Sequence, residues 1–402
     1  MRIGKWARLA LTASLFLGGC KGFWDPLPST GTGTTGSTTL SSGPFYVINQ
    51  GTRQLIAYNI VTGVLQTIGS AITLPGAPTC LAIAPNGKWL YVGTASGILL
   101  YDINSGGALT AGNNGTTISS DVVSALQVDS TNANLVGAWV QSTTAQIQSI
   151  PLNGTGTPSG VAAKTASVTS LTGASPAVHQ LAITPDNAYV IVALGTAGTV
   201  IVPFASSGGV TAGNYTPQIK VLNNGGAALS VAVDPITTTN TSSRLLYIGE
   251  TLATSTTSGG LRAIDYSTVG TGSPADITGS PFSISGAVAP NFIFPLPTAD
   301  YVYVANGNGS TSAGNIAWYS ITGSGSSTEF TFINTVSAGV QPIGLTEDNE
   351  SNFLLAVATG GSTNAGDPDL EAYTISTGAL TSVLTAKTGN DPVIATAIVA
   401  AP

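Results

Sequence analysis

One unit recurs seven times along this chain, and its fixed grammar of strand, turn and strand limits the fold more than any other feature. The copy at 78–103 shows it whole. An apolar run ends at Pro85, Asn86-Gly87 reverses the chain, Trp89 to Val92 runs back, and a turn at Gly97 leads into Ile98 to Ile103. Asn-Gly suits the reversal because both residues tolerate positive φ. The Tyr-Val-type strand returns as Phe45 to Asn49, Leu90 to Gly93, Leu135 to Gly137, Tyr189 to Ile191, Leu246 to Gly249, Tyr301 to Asn306 and Phe353 to Leu355. Each copy is followed by a second aliphatic strand, from Leu55 to Ile60 in the first to Leu370 to Ile375 in the last. Copies lie about 45 to 58 residues apart, the length that four strands require.

An apolar strand, often closed by Pro or Asp-Pro, precedes each copy except the first. Leu81 to Pro85, Leu181 to Pro185 and Val231 to Pro235 are clear; Leu126 to Asp129, Ile293 to Pro297 and Ile343 to Glu347 are looser. The strand missing before Tyr46 stands at the other end of the chain, as Ile398-Val399-Ala400-Ala401-Pro402. That displacement predicts a closed ring in which the two termini share one blade. The expected fold is all-β: a seven-bladed β-propeller of four-stranded blades over 44–402, with the C-terminal strand completing the N-terminal blade. Fourth strands are the least regular and clearest at Val64 to Ile68, Phe330 to Val336 and Leu380 to Leu384. A β-helix rung is shorter, and a sandwich array would not share its terminal strand across the whole chain. Charged residues make up only 7% of the chain, too few to face several helices with solvent, which agrees with β-strands bearing Thr and Ser.

The N-terminus reads as targeting rather than fold. Arg2, Lys5 and Arg8 precede the apolar run Leu9 to Leu17, which is too short to span a bilayer and right for a signal peptide. Leu17-Gly18-Gly19-Cys20 resembles a bacterial lipobox, which implies a signal peptide over 1–19 and lipidation of Cys20. An ordinary signal peptide that contains a cysteine is the alternative. Lys21 after the cysteine is compatible with the outer membrane, so an exported, lipid-anchored envelope protein, periplasmic or surface-facing, is expected. Residues 20–43 are rich in Gly, Ser and Thr and cannot bury enough surface to order themselves, so they read as a tether.

Charge narrows the partners. Eleven Lys and Arg face eighteen Asp and Glu, and three of the eleven precede the cleavage point. Nucleic acid is excluded as a partner because its phosphates need a basic face. Membrane contact is expected through the anchor alone.

The repeats resemble the Tyr-Val-Thr-Asn (YVTN) repeat family of β-propellers, which overlaps the lactonase-like, 6-phosphogluconolactonase-type seven-bladed propellers. Tyr46-Val47-Ile48-Asn49, Tyr91-Val92-Gly93-Thr94 and Tyr303-Val304-Ala305-Asn306 carry the likeness, with the turns Pro85-Asn86-Gly87 and Pro185-Asp186-Asn187. The resemblance implies ring-opening of a sugar or organic-acid lactone, a reaction that needs an activated water and a stabilised oxyanion.

Chemistry in a propeller belongs at the channel mouth, where the innermost strands begin. Aligning those strands places Thr79, Ser124, His179, Leu229, Asn291, Gln341 and Thr396 in one ring, two residues before the first core aliphatic. His179 is the sole histidine and the one side chain able to act as a base near neutral pH without a large shift. It reads either as a base facing a bound lactone or as a polar residue bonded to a neighbouring loop. No innermost strand shows a Glu/Arg/His set and no His/carboxylate cluster suits a metal, so no cofactor or metal is expected. The expected function is therefore a monomeric binding or scaffold module for a protein or a small carbohydrate-like ligand, with lactone hydrolysis as the alternative. Cys80 reads as a buried packing residue. Glu347-Asp348-Asn349-Glu350 reads as a solvated acidic turn rather than a calcium loop. Asp367 and Asp369 lie in a Gly/Asn-rich loop that lacks regular ligand spacing, and Gly307-Asn308-Gly309 is a loop with no helix behind it.

Overall fold

The apolar runs of the repeat have both faces buried, which explains why they are nearly continuous rather than alternating. Phe45–Asn49, Trp89–Thr94, Leu245–Glu250 and Phe353–Ala358 are buried at every position. A strand in that situation lies inside a sheet that is itself covered on both sides. The computed structural model describes residues 40–169, 174–235, 244–255, 258–269, 274–284, 288–309, 312–323, 328–359, 368–386 and 395–402. Within them, seven sheets of four or five strands, antiparallel except for one rim strand, form the blades. From channel to rim, the second blade runs Pro78–Ile83, Trp89–Thr94, Gly97–Ile103 and Leu109–Ala111, and the sixth runs Ala289–Pro295, Tyr301–Gly307, Ala313–Thr322 and Glu329–Val340.

The ring closes as the displaced repeat predicts. Ala395–Ala400 is the innermost strand of the first blade and pairs antiparallel with Phe45–Asn49, Val47 facing Ile398. Each innermost strand touches the next, and Ala395–Ala400 touches those of the second and seventh blades. The clear fourth strands appear as Val64–Thr67, Glu329–Val340 and Ala379–Ala386, joined by Lys164–Thr169. Gly213–Tyr215 adds a parallel strand to the rim of the third blade, although it follows the fourth blade in sequence. Nothing in the repeat announces it.

A recurrent contact joins neighbouring blades. The Tyr91 hydroxyl donates to Gly156 O at 2.8 Å, Tyr46 to Gly107 O at 3.0 Å and Tyr303 to Gly378 O at 3.0 Å. In each case the acceptor is a glycine in the outer turn of the following blade. Tyr189 departs from the pattern. Register aligns it with Trp89 rather than Tyr91, so the sequence match was displaced by two residues, and Ile191 takes the tyrosine position. In the third blade Val136 stands there, and Asn134 reaches the next blade by donating from Nδ2 to Ser206 O at 2.7 Å.

Leu40–Ser42 already join the first blade. Gly63 N donates to Leu40 O at 3.0 Å, Ser42 N to Ile60 O at 2.8 Å, and Asn352 Nδ2 of the seventh blade to Ser41 O at 2.9 Å. These turns lie at the end of the ring opposite the starts of the innermost strands. The expected signal peptide, Cys20 and most of the expected tether lie outside the described residues.

The acidic turn is only half solvated, which corrects the sequence reading. Asn349 and Glu350 are exposed, but Asp348 is buried and Glu347 is half-buried against Thr298. Burial pushes Glu347 up to about 7 and Asp348 up to about 6. Both carboxyls favour the neutral form in the fold, so the stability they contribute is full below their unfolded pKa values and lost as pH rises through about 6 and about 7. The melting temperature is expected to be higher at pH 5 than at pH 8, and Glu347→Gln to flatten the difference. A variant whose melting falls as steeply as wild type over that window would contradict this assignment. Among the described residues no group of three His, Cys, Asp or Glu could hold a metal. Asp367 lies outside the described residues, and Asp369 is buried.

Candidate functional site

The innermost strands all begin at one end of the channel. Counted back from the residue whose N–H closes the first turn of each blade (Ala84, Asp129, Thr184, Asp234, Leu296), Thr79, Ser124, His179, Leu229 and Asn291 share one position. Thr396 takes it in the first blade by the same count, through Ala401; its side chain lies outside the described residues. Gln341 does not take it. In the seventh blade the closing residue is Asp348, which puts Ile343 in the ring and Gln341 two residues ahead. The signal that would have found this is Pro342, which pairs as Pro78 does at the start of its strand.

Between the innermost strands lies a cavity of about 470 Å³ lined by Thr79, Ser124, His179 and Asn291, with neither Leu229 nor Gln341 in its wall. Below the polar ring the wall is mostly aliphatic, with Phe292 and Phe294 on one side. Among the described lining residues only His179 and Cys80 titrate, and none is Asp, Glu, Lys or Arg. The site is neutral and mixed in polarity, the usual character of a small-molecule pocket.

Glycines make room for this ring. Gly195 has a φ of +61, and a side chain there would come within 3.3 Å of His179 Nε2. A side chain at Gly93 would press on Cys80 Sγ at 2.6 Å, and one at Gly307 on Asn291 Nδ2 at 3.0 Å. His179 is tied to its own blade by its N–H, which donates to Ala193 O at 3.1 Å. Its ring faces the channel and is exposed there, while the surrounding protein removes enough water to lower its pKa by desolvation. The imidazole is thus neutral at pH 7 and free to accept a proton.

The other ring residues differ in availability. Thr79 donates its hydroxyl to Val123 O at 2.7 Å. Ser124 is exposed in the blade next to His179. Cys80 is buried, and burial pushes its thiol up to about 12, so it packs rather than reacts.

Sequence reasoning passed over one ionic cluster at the same end of the ring. Arg262 NH1 meets Glu250 Oε1 at 3.1 Å, and its Nε meets Asp276 Oδ1 at 2.5 Å. Glu250 Oε2 accepts from Leu222 N at 3.0 Å, and Lys220 O accepts from Arg262 NH1 at 2.8 Å. Burial raises the Glu250 pKa despite these partners. The cluster pins the connection between the fourth and fifth blades instead of facing the cavity. Glu250 at the end of the apolar strand Leu245–Glu250 and Arg262 within Gly260–Asp265 were its signal.

Comparisons with known proteins follow the same lines. Residues 46–227 match the model of the family described as lactonase, 7-bladed beta-propeller. No curated protein matches the chain in sequence. Among solved structures, the periplasmic gluconolactonase PpgL of Pseudomonas aeruginosa superimposes with a TM-score of 0.64 at 15% identity, covering 90% of this chain and 100% of that one. A candidate 6-phosphogluconolactonase of Bacteroides fragilis gives 0.64 at 15% identity, covering 90% and 99%. A second candidate of that kind, from Bacteroides uniformis, gives 0.63 at 14% identity, covering 89% and 98%. At such identities the structures speak for the fold, and the family match spans the first four blades. The chain folds as a seven-bladed β-propeller, and residues 46–227 of it match the lactonase family of such propellers.

Proposed function

We propose that the channel binds a small lactone and opens its ring, with His179 as the base. One observation carries this reading: His179 is the only side chain of the described channel wall that can take up a proton near neutral pH, and it is uncharged there. Water adds to the lactone carbonyl carbon as its proton passes to the imidazole. The tetrahedral intermediate then collapses, the ring C–O bond breaks, and the imidazolium returns the proton to the departing ring oxygen, leaving a hydroxy acid. Ser124, in the adjoining blade, supplies a neutral donor for the oxyanion. The lactonase family match and the gluconolactonase among the similar structures support the reaction class.

His179→Ala is expected to lower kcat for D-glucono-1,5-lactone by about 10²- to 10⁴-fold with KM little changed. The wild-type kcat/KM is expected to fall on the acid side with an apparent pKa below the ordinary histidine value, since desolvation lowers it. Equal rates for wild type and variant would rule out His179.

One observation favours a second reading, a binding module without turnover: no Asp, Glu, Lys or Arg stands among the described lining residues to share the work with His179. Hydrolysis by the wild type above the spontaneous rate distinguishes the two.

In this reading the protein sits at the cell envelope, tethered through Cys20. Leu40–Ser42 join the ring at the end opposite His179, so a tether leaving there presents the polar mouth away from the membrane. Cys20→Ser is expected to shift the protein from the membrane fraction to the soluble one; unchanged membrane association would remove the anchor.

A further inference from the structure

Asn291 is held by two hydrogen bonds that cross a blade boundary. Its Nδ2 donates to Gln341 Oε1 at 3.3 Å and to Pro342 O at 3.1 Å, both from the neighbouring seventh blade. With both amide hydrogens engaged, the carbonyl Oδ1 is left as the polar end available to the cavity that Asn291 lines. Gln341, behind it, keeps its side chain in place at a backbone cost: its φ is 54, a left-handed conformation that a residue with a Cβ adopts only under strain. Gly307 completes the support, because a side chain there would collide with Gln341 Oε1 at 2.5 Å and with Asn291 Nδ2 at 3.0 Å. Strained backbone and a glycine cradle under one amide mark a group held for binding rather than one left to solvent.

The wall around this amide sets the class of ligand. Its described residues include no cation, so a phosphate that entered would lose its hydration without gaining a charged partner. Phe292 and Phe294 offer an apolar face for the C–H side of a sugar ring. Backbone groups on the inward edges of the innermost strands offer further partners for hydroxyls.

We infer that Asn291, positioned by Gln341, reads a hydroxyl of an uncharged polyhydroxylated ring, and that the channel selects such a ring over its phosphorylated counterpart. The inference rests on the lactone reading for the shape of the ligand, but binding alone can test it. Calorimetry with D-glucono-1,5-lactam and with its 6-phosphate, neither of which is hydrolysed, is expected to show the uncharged ring bound at least 10-fold more tightly. Asn291→Ala is expected to weaken lactam binding about 10-fold, the effect of losing roughly 1.4 kcal/mol.

Gln341→Gly relieves the left-handed backbone and removes the positioning group. It is expected to weaken lactam binding several-fold without lowering the melting temperature, and Gln341→Glu, which keeps an acceptor for Asn291 Nδ2, to restore part of the loss. Equal or tighter binding of the phosphate, or wild-type affinity in Gln341→Gly, would overturn the inference and leave hydrolysis at His179 standing. Selective lactam binding without turnover would instead overturn hydrolysis and leave the ligand class standing. Binding of neither ring would overturn both.

Discussion

Deleting residues 394–402 is expected to lower the urea midpoint of unfolding by half or more. The lost segment contains the innermost strand of the first blade, whose Ile398 is buried against the seventh blade and whose backbone pairs with Phe45–Asn49. Without it, Phe45, Tyr46, Val47 and Ile48, all fully buried now, lose the cover on one side. The blade faces flanking the gap lose their neighbours as well. Uncovering even two or three such side chains costs about 1.5–3 kcal/mol each. Against a total stability of about 5–15 kcal/mol, that is a large fraction. A synthetic peptide of the deleted residues, added in trans, is expected to restore part of the midpoint by strand complementation. Unfolding of the truncated chain at the wild-type midpoint would mean that the ring does not depend on this closure.

Gly156→Val is expected to destabilise the propeller by about 2–5 kcal/mol, from two sources. Gly156 has a φ of +72, which a β-branched residue adopts only under strain. A Cβ there would also sit 2.5 Å from the Trp89 ring of the preceding blade, with little space to yield. The carbonyl matters as well, since Tyr91→Phe would leave Gly156 O without its 2.8 Å bond, at about 1–2 kcal/mol. Gly154→Ala is the control: it lies two residues away, and an added Cβ would meet nothing within 4 Å. Its urea midpoint is expected to match wild type. Equal losses at both positions would mean that the turn, and not the contact between blades, sets the cost. The same contact recurs where Gly378 meets Tyr301 and where Gly107 meets Pro44, so it joins three pairs of neighbouring blades.

The ring was legible because its repeat is a packing rule. Each blade needs a strand buried on both faces, and the copy missing before Tyr46 reappears before Pro402. The failures have physical causes too. Tyr189 looked like Tyr91 because both start apolar pairs, yet the turn closed by Thr184 N shifts it to the Trp89 position. Gln341 lies two residues before Ile343, an aliphatic that occupies the ring position itself, and with no proline after Asp348 nothing in the sequence marks Leu345 as the first core aliphatic of that strand. His179 and Asn291 were found correctly as ring members, since prolines fix the phase of their strands. What the sequence could not supply was cooperation across blades. Asn291 and Gln341 are fifty residues apart, and neither the amide pair nor the Gly307 cradle has a local motif. The neutrality of the cavity likewise follows from the register of all the innermost strands rather than from any one of them.

The channel mouth as the functional site is tested most directly by a crystal structure with D-glucono-1,5-lactam. The expected result is the ring at the mouth, one hydroxyl within hydrogen-bond distance of Asn291 Oδ1 and the lactam carbonyl on the His179 side of the cavity. A lactam bound elsewhere on the ring, or a channel free of it at saturating concentration, would contradict the account.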